Sequence, residues 1–317
     1  MICRVVMNVL VLALIPLVCH GVEPRPTEWK PGQEVKFKIT RDKTGTIKVL
    51  GSSTKTRELY VTHLTATAGT ADAEGRIPLT LKATRVTGEV PVVNTSTFQV
   101  TPTKYDSVTA GDRMPTHHFG PSVALMKRPL TLLFAKSGKV IGVTGTKEWG
   151  ADTVALLKRD FSREIDYPSS LPLYEMLGSE SAQKYEWDGL LTPHLPDDFL
   201  SGEEWSNKRV WSLVPYYSWV NGKHQAQETD DGGLKITSTL IPPKSDSASI
   251  KLGPQEYIYS TKNGTGEGEI EIDSAGWIKK SQSTVHFYLN VTLKHLGQEI
   301  PMDDYYIKLI TTVEQEK

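Results

Sequence analysis

The side chains of this sequence that could do chemistry are a histidine pair, four acidic doublets and one run of aromatic rings. His117-His118 is the only histidine doublet. Neighbours on a strand point to opposite faces, and neither histidine has a ligand-type partner four residues away, so the pair does not form a zinc site. Asp197-Asp198, Glu203-Glu204, Asp230-Asp231 and Asp303-Asp304 bring carboxylates together in sequence. Acid–base catalysis across a cleft needs two carboxylates about 5–10 Å apart on facing elements, so these doublets read as solvated turn acids. Asp230-Asp231-Gly232-Gly233 also lacks the alternating oxygen ligands of a calcium loop. The nearest approach to a serine elbow, Gly120-Pro121-Ser122-Val123-Ala124, closes on alanine instead of glycine, and its proline suits a loop. HExxH, GxGxxG and phosphate-loop patterns are absent. The sequence therefore predicts no catalytic residue, no metal and no cofactor.

Trp205, Trp211, Tyr216, Tyr217 and Trp219 form the densest aromatic run. Such rings either fill a sheet core or line a ligand surface. Trp205 opens a strand set and is assigned to the core. Trp211, Tyr217 and Trp219 are the candidate ligand-binding residues, for an apolar or a carbohydrate ligand. Trp219, beside Asn221-Gly222, is the ring expected to be exposed.

The compartment follows from residues 1–21. Arg4 precedes the apolar stretch Val5–Val18, and Cys19-His20-Gly21 ends it with small residues in cleavage positions, the order of a secretory signal peptide. That run is too short for a permanent membrane span. A secreted or periplasmic protein is expected, with lipid anchoring through Cys19 as the alternative reading. Cys3 and Cys19 are the only cysteines, so the mature chain has neither disulfide nor thiolate site. With 36 basic against 37 acidic residues, both signs interspersed, no basic face for nucleic acid arises.

The elements that would position these residues are mostly strands. Val35, Phe37 and Ile39 alternate with Lys36 and Lys38, the same period recurs at 58–64 and 77–83, and Thr-rich 94–103 and apolar 130–135 are further strand candidates. Ser137-Gly138 predicts a hairpin turn into 139–143, and Asn221-Gly222, Asp231-Gly232 and Asn263-Gly264 predict further turns. Segments 285–293 and 305–313 alternate throughout and predict a closing hairpin. Between these sets, Val154, Leu157, Phe161 and Ile165 make a helical stripe stopped by Pro168, and Ser179 caps a further helix. The fold expected is α+β, predominantly antiparallel β: two curved sheets with a short helical segment between them. Its parts are the signal peptide 1–21, an N-terminal β half 22–149, a helical segment 150–196 and a C-terminal β half 197–317. A duplication is suggested by Gly32-Gln33-Glu34-Val35 against Gly202-Glu203-Glu204-Trp205. Phe134 to Val140 similarly matches Ile272 to Ile278.

Gly32-Gln33-Glu34-Val35-Lys36-Phe37, Ser137-Gly138-Lys139-Val140 and above all Leu195-Pro196-Asp197-Asp198-Phe199-Leu200-Ser201-Gly202-Glu203-Glu204-Trp205 resemble a domain-of-unknown-function family of secreted bacterial proteins. The resemblance implies export and a β-rich build, and brings no activity or site residues with it. In architecture alone the chain is similar to periplasmic lipoprotein carriers, a curved sheet with helices over its concave face. A non-enzymatic exported binding protein is the reading preferred on these grounds. An envelope lipid or lipoprotein carrier and a hydrolase are the alternatives.

Overall fold

A computed structural model describes residues 29–49, 52–93, 100–110, 113–115, 119–161, 178–191, 195–196, 202–213, 216–242, 247–252, 255–274, 276–295 and 297–317. The expected signal segment 1–21 lies outside them. The first half contains β1 (Glu34–Val49), β2 (Ser52–Ala68), β3 (Ile77–Val93), β4 (Val100–Asp106), β5 (Leu130–Phe134) and β6 (Val140–Thr144). The second contains β7 (Glu204–Leu213), β8 (Tyr216–Glu228), β9 (Leu234–Ile241), β10 (Ser247–Leu252), β11 (Gln255–Ile272), β12 (Ile278–His295) and β13 (Gln298–Glu316). Three helices are described: α1 (Gly120–Lys127), α2 (Thr146–Phe161) and α3 (Glu180–Trp187).

The expected class holds, but the strands do not separate into two sheets. All thirteen join one antiparallel sheet, in the order β6-β5-β3-β2-β1-β13-β12-β11-β9-β8-β7, with β4 on β3 and β10 on β11. The joint is β13, which pairs with β12 on one side and β1 on the other. The last strand thus satisfies two edges that would otherwise expose unpaired backbone groups.

This sheet is tightly curled. In a flat sheet five strand spacings, roughly 24 Å, would part β5 from β12. Trp29 nevertheless touches Phe134 of β5 and Trp277 at the start of β12, with ring centroids 5.2 and 4.4 Å away. The edge strands β6 and β7 would stand roughly 48 Å apart if flat. Both instead contact α3, a helix only about 12 Å long. The sheet therefore wraps around an interior, and α3 sits between its two edges.

The two halves follow one scheme. β1-β2-β3-β5-β6 and β7-β8-β9-β11-β12 are meanders of the same order, and each gains an extra strand after its third member. Their turns match as well. Asp72–Arg76 and Ala135–Lys139 in the first half, and Thr229–Gly233 and Asp273–Trp277 in the second, each close with two backbone hydrogen bonds around a glycine at the fourth position. Those glycines have φ of 74–85°, which a side chain disfavours. The longer first half is accounted for by α1 and the segment around it, inserted between β4 and β5.

Three local expectations are corrected. Asn221-Gly222 lies inside β8 and Asn263-Gly264 inside β11, the latter at a register shift. Both glycines are there because something else occupies the space of a side chain. A Cβ on Gly222 would fall 2.3 Å from His224 Nε2, and one on Gly264 would fall 2.6 Å from the His286 carbonyl. Gly120-Pro121-Ser122 is a helix start, not a loop, because a proline in the first turn, where the N–H groups have no partner within the helix, loses no hydrogen bond. Ser179 does cap α3, its hydroxyl accepting from the Ala182 N–H at 3.2 Å. Of the predicted helical stripe, residues 162–177 lie outside the described residues.

Candidate functional site: a polar row on the inner face

Residues directly opposite in an antiparallel ladder share a face, so the register traces each side of the sheet. The face that carries Phe37, Leu64 and Val313 is the inner one, since those side chains pack with the buried residues of α1 and α2. Along it, one register row crosses ten strands: Tyr105, Gly88, Tyr60, Arg41, Thr311, Ser283, Gly268, Ser238, His224 and Trp205. No aliphatic side chain occurs in it.

On one side of this row lie Ile39 and Val313, part of the core that the helices cover, and Ile270 and Ile236, part of a separate buried apolar cluster. On the other lie Val220, Leu240, Val285, Phe287, Leu289, Val291, Ile307 and Leu309, a buried apolar cluster built from strands alone. The row thus separates two sets of buried apolar residues, of which the set on the Ile39 side includes residues of the helices.

Charge is concentrated where β1 and β2 meet the row. Arg41 reaches across the interior to Glu186 of α3 through its Nη2. Two residues further along β1, Lys43 Nζ lies 3.2 Å from Glu58 Oε1, and the Tyr60 hydroxyl donates to Glu58 Oε2 at 2.7 Å. Lys43 and Glu58 have side-chain exposures of only 15% and 17%. Burial and the Glu58 carboxylate together push the Tyr60 hydroxyl far above the ordinary tyrosine range, and the same two causes push Tyr305 up to about 12. Half-buried charges cost desolvation and are kept only where they are paired.

A second polar group lies further along the row. His224, buried, has Nδ1 2.7 Å from Ser238 Oγ and Nε2 2.8 Å from Asn207 Oδ1. Asn207 Oδ1 can only accept, so Nε2 carries the proton and Nδ1 receives the serine hydroxyl. That is the connectivity of a nucleophile–base–orienter triad. It lacks the remainder of one, because β8 and β9 are interior strands whose N–H groups are spent in the ladders and cannot stabilise an oxyanion. The group reads as a satisfied buried histidine, with Gly222 making room for the ring.

Trp205 lies on the inner face, stacked on His224 at 5.3 Å and partly buried against the apolar residues of β8, β9 and β11. The side chains of Trp211, Tyr217 and Trp219 are outside the described part of the structure. Their backbone register pairs Trp211 with Ser218, Tyr217 with Ser212 and Trp219 with Val210. Position 211 therefore shares the alternation of Trp205, whereas 217 and 219 have the opposite one. His117-His118 and Asp197-Asp198 also lie outside the described residues. Asp231 sits in the β8–β9 turn with Lys279 Nζ 2.5 Å away, and that hydrogen bond holds its carboxyl below the usual range. The site residues that sequence reading missed are Arg41, Lys43, Glu58 and Tyr60. Their one sequence signal is that the alternation Val35, Phe37, Ile39 continues into charged residues at 41 and 43.

Among the described residues no cluster of histidines and acids could hold a metal, and no helix is long and apolar enough to cross a membrane. No family model matches the chain, and no curated protein matches it. Among solved structures, lipovitellin aligns over 92% of this chain at 11% identity and a TM-score of 0.45. The chain spans about a quarter of lipovitellin's length, 26%. The OmpF porin of Salmonella typhi aligns over 89% of this chain and 98% of its own, at 7% identity and a TM-score of 0.23. OccK7 of Pseudomonas aeruginosa aligns over 90% and 100%, at 8% identity and a TM-score of 0.22. At such TM-scores these likenesses say nothing of function.

Proposed function

We propose that this is an exported, non-catalytic binding protein that holds an apolar or amphiphilic ligand against the inner face of its curled sheet. The observation that carries the reading is the division of that face. Beyond Ile39 the buried side chains pack with those of α1 and α2, while beyond Lys43 the buried apolar cluster, from Val220 to Leu309, is built from strand residues alone. Concave sites lined by apolar side chains with a few convergent polar groups are the usual form of small-molecule sites. The order of residues 1–21 supports export. A hydrolytic role is the weaker reading, because the triad-like group at His224 has no oxyanion donors.

The test uses the mature chain, from Val22, and a fluorescent long-chain alcohol. Saturable binding at one site is expected. Val285→Lys, which puts a charge on the inner wall, should abolish it, whereas Thr284→Lys, the next residue on the outer face, should leave it unchanged. Equal effects of the two substitutions, or no saturable binding, would overturn the proposal.

A further inference from the structure

On the outer face of the sheet, a β-bulge lies where β2 meets β3. The register shifts there: His63 faces Arg85, Leu64 faces Ala83, and Thr84 is the extra residue, its hydroxyl donating to the His63 carbonyl at 3.3 Å. Bulges bend a strand and re-aim its side chains. Beside this one is a depression of about 320 Å³, lined by Lys36, His63, Thr65, Thr84, Arg85 and Glu316. Its size lies within the range of small-molecule sites, ~300–1,000 Å³.

The acids around the depression are already engaged. Lys36 and Glu316 are direct register partners and would ordinarily pair across the strands. Glu316 instead faces His63, whose Nδ1 lies 2.9 Å from its Oε1. Arg85 holds Asp106 through Nε and Nη2, at 3.2 and 2.5 Å, and Lys38 Nζ lies 3.8 Å from Glu314. Glu34, two residues from Lys36 on the same face, takes the Thr67 hydroxyl at 3.4 Å. Two lysines stay unmatched. Thr65 is the register partner of Lys36 on one side and of Lys82 on the other, and both lysines are exposed. Neither makes an ion pair or a side-chain hydrogen bond among the described residues.

The depression therefore joins open space to two ammonium groups without partners, one strand spacing, about 5 Å, to either side of Thr65. Arg85, whose Nη1 has no acceptor among the described residues, borders the same space. We propose that this is a second binding site, on the opposite face from the interior one, for a small soluble molecule bearing a phosphate or sulfate ester. Lys36 and Lys82 flank the oxyanion, and Thr65 donates its hydroxyl between them. Hydrogen bonds from ammonium groups to such oxygens are charge-assisted, and lysine serves phosphate as a point charge.

Calorimetric titration of the protein with glycerol 3-phosphate tests this, in about 150 mM sodium chloride, where diffuse attraction is screened beyond ~8 Å. One saturable site is expected, with no binding of glycerol itself. Lys36→Met and Lys82→Met should each weaken binding at least tenfold. Lys36→Arg and Lys82→Arg keep the charge and should bind as before, which separates a lost contact from a folding defect. Lys55→Met, at an exposed lysine near the other end of β2, should leave binding unchanged. Absence of saturable binding, or an equal loss in Lys55→Met, would overturn the site. Glycerol binding as tightly as its phosphate would overturn the oxyanion. Capture by phosphatidylglycerol vesicles without binding of glycerol 3-phosphate would overturn the soluble ligand and assign the depression to a lipid surface.

Discussion

Single residues set the character of the inner face more than any repeated motif does. Glu58 is the hub: it accepts hydrogen bonds from the Tyr60 hydroxyl and from Lys43, and it adds to the burial that raises the Tyr305 hydroxyl to about 12. The pH dependence follows from the direction of that shift. The folded protein holds the tyrosine protons more tightly than the unfolded chain, whose tyrosines titrate near ~10. The contribution of Tyr305 to stability is complete below pH ~10 and is lost as pH rises through about 12. Thermal melts should accordingly fall across that window, and Tyr305→Phe should flatten the fall; an unchanged slope would place the hydroxyl in solvent. Gly222 offers a steric check. Gly222→Ala brings a methyl group onto the His224 ring, and a loss of about 1–3 kcal/mol in denaturant unfolding is expected, as for other overpacked cores. A neutral result would mean that the ring is free to move aside.

At the scale of elements, the short helix α3 and the Trp29 side chain hold the curl. Ser179→Ala removes the α3 cap and should cost about 1 kcal/mol. Trp29→Ala removes a ring stacked on Trp277 and edge-on to Phe134, and should cost about 3–5 kcal/mol. A much smaller loss for Trp29→Ala would show that the curl does not depend on it. Much of this layer was legible in the sequence. The alternation of β1, β12 and β13, the Ser137-Gly138 turn and the Ser179 cap can be read from local chemistry, because each depends on residues within a few positions of one another. Asn221-Gly222 misled for a physical reason. A glycine wanted for φ above zero and one wanted for close approach of a distant ring look alike in sequence, and only the β7–β8–β9 register distinguishes them. Arg41 and Lys43 were hidden in a similar way. Charged residues continuing a strand's apolar alternation look like surface until the curl turns that face inward.

For the molecule as a whole, the repeated meander explains how one chain makes so large a sheet. Each half supplies five consecutive neighbours, and β13 joins them through pairings with β12 and β1. Amide hydrogen exchange should therefore be slowest in β1, β12 and β13, inside the sheet, and fastest in the edge strands β6 and β7; fast exchange in β13 would contradict the joint. Placement of a ligand inside this curl is the central claim, and calorimetric titration of the protein with a long-chain fatty acid at several temperatures tests it most directly. One saturable site with a negative heat-capacity change is predicted, since burial of a hydrocarbon chain removes apolar surface from water. Heats that never saturate, or a site with no heat-capacity change, would contradict it.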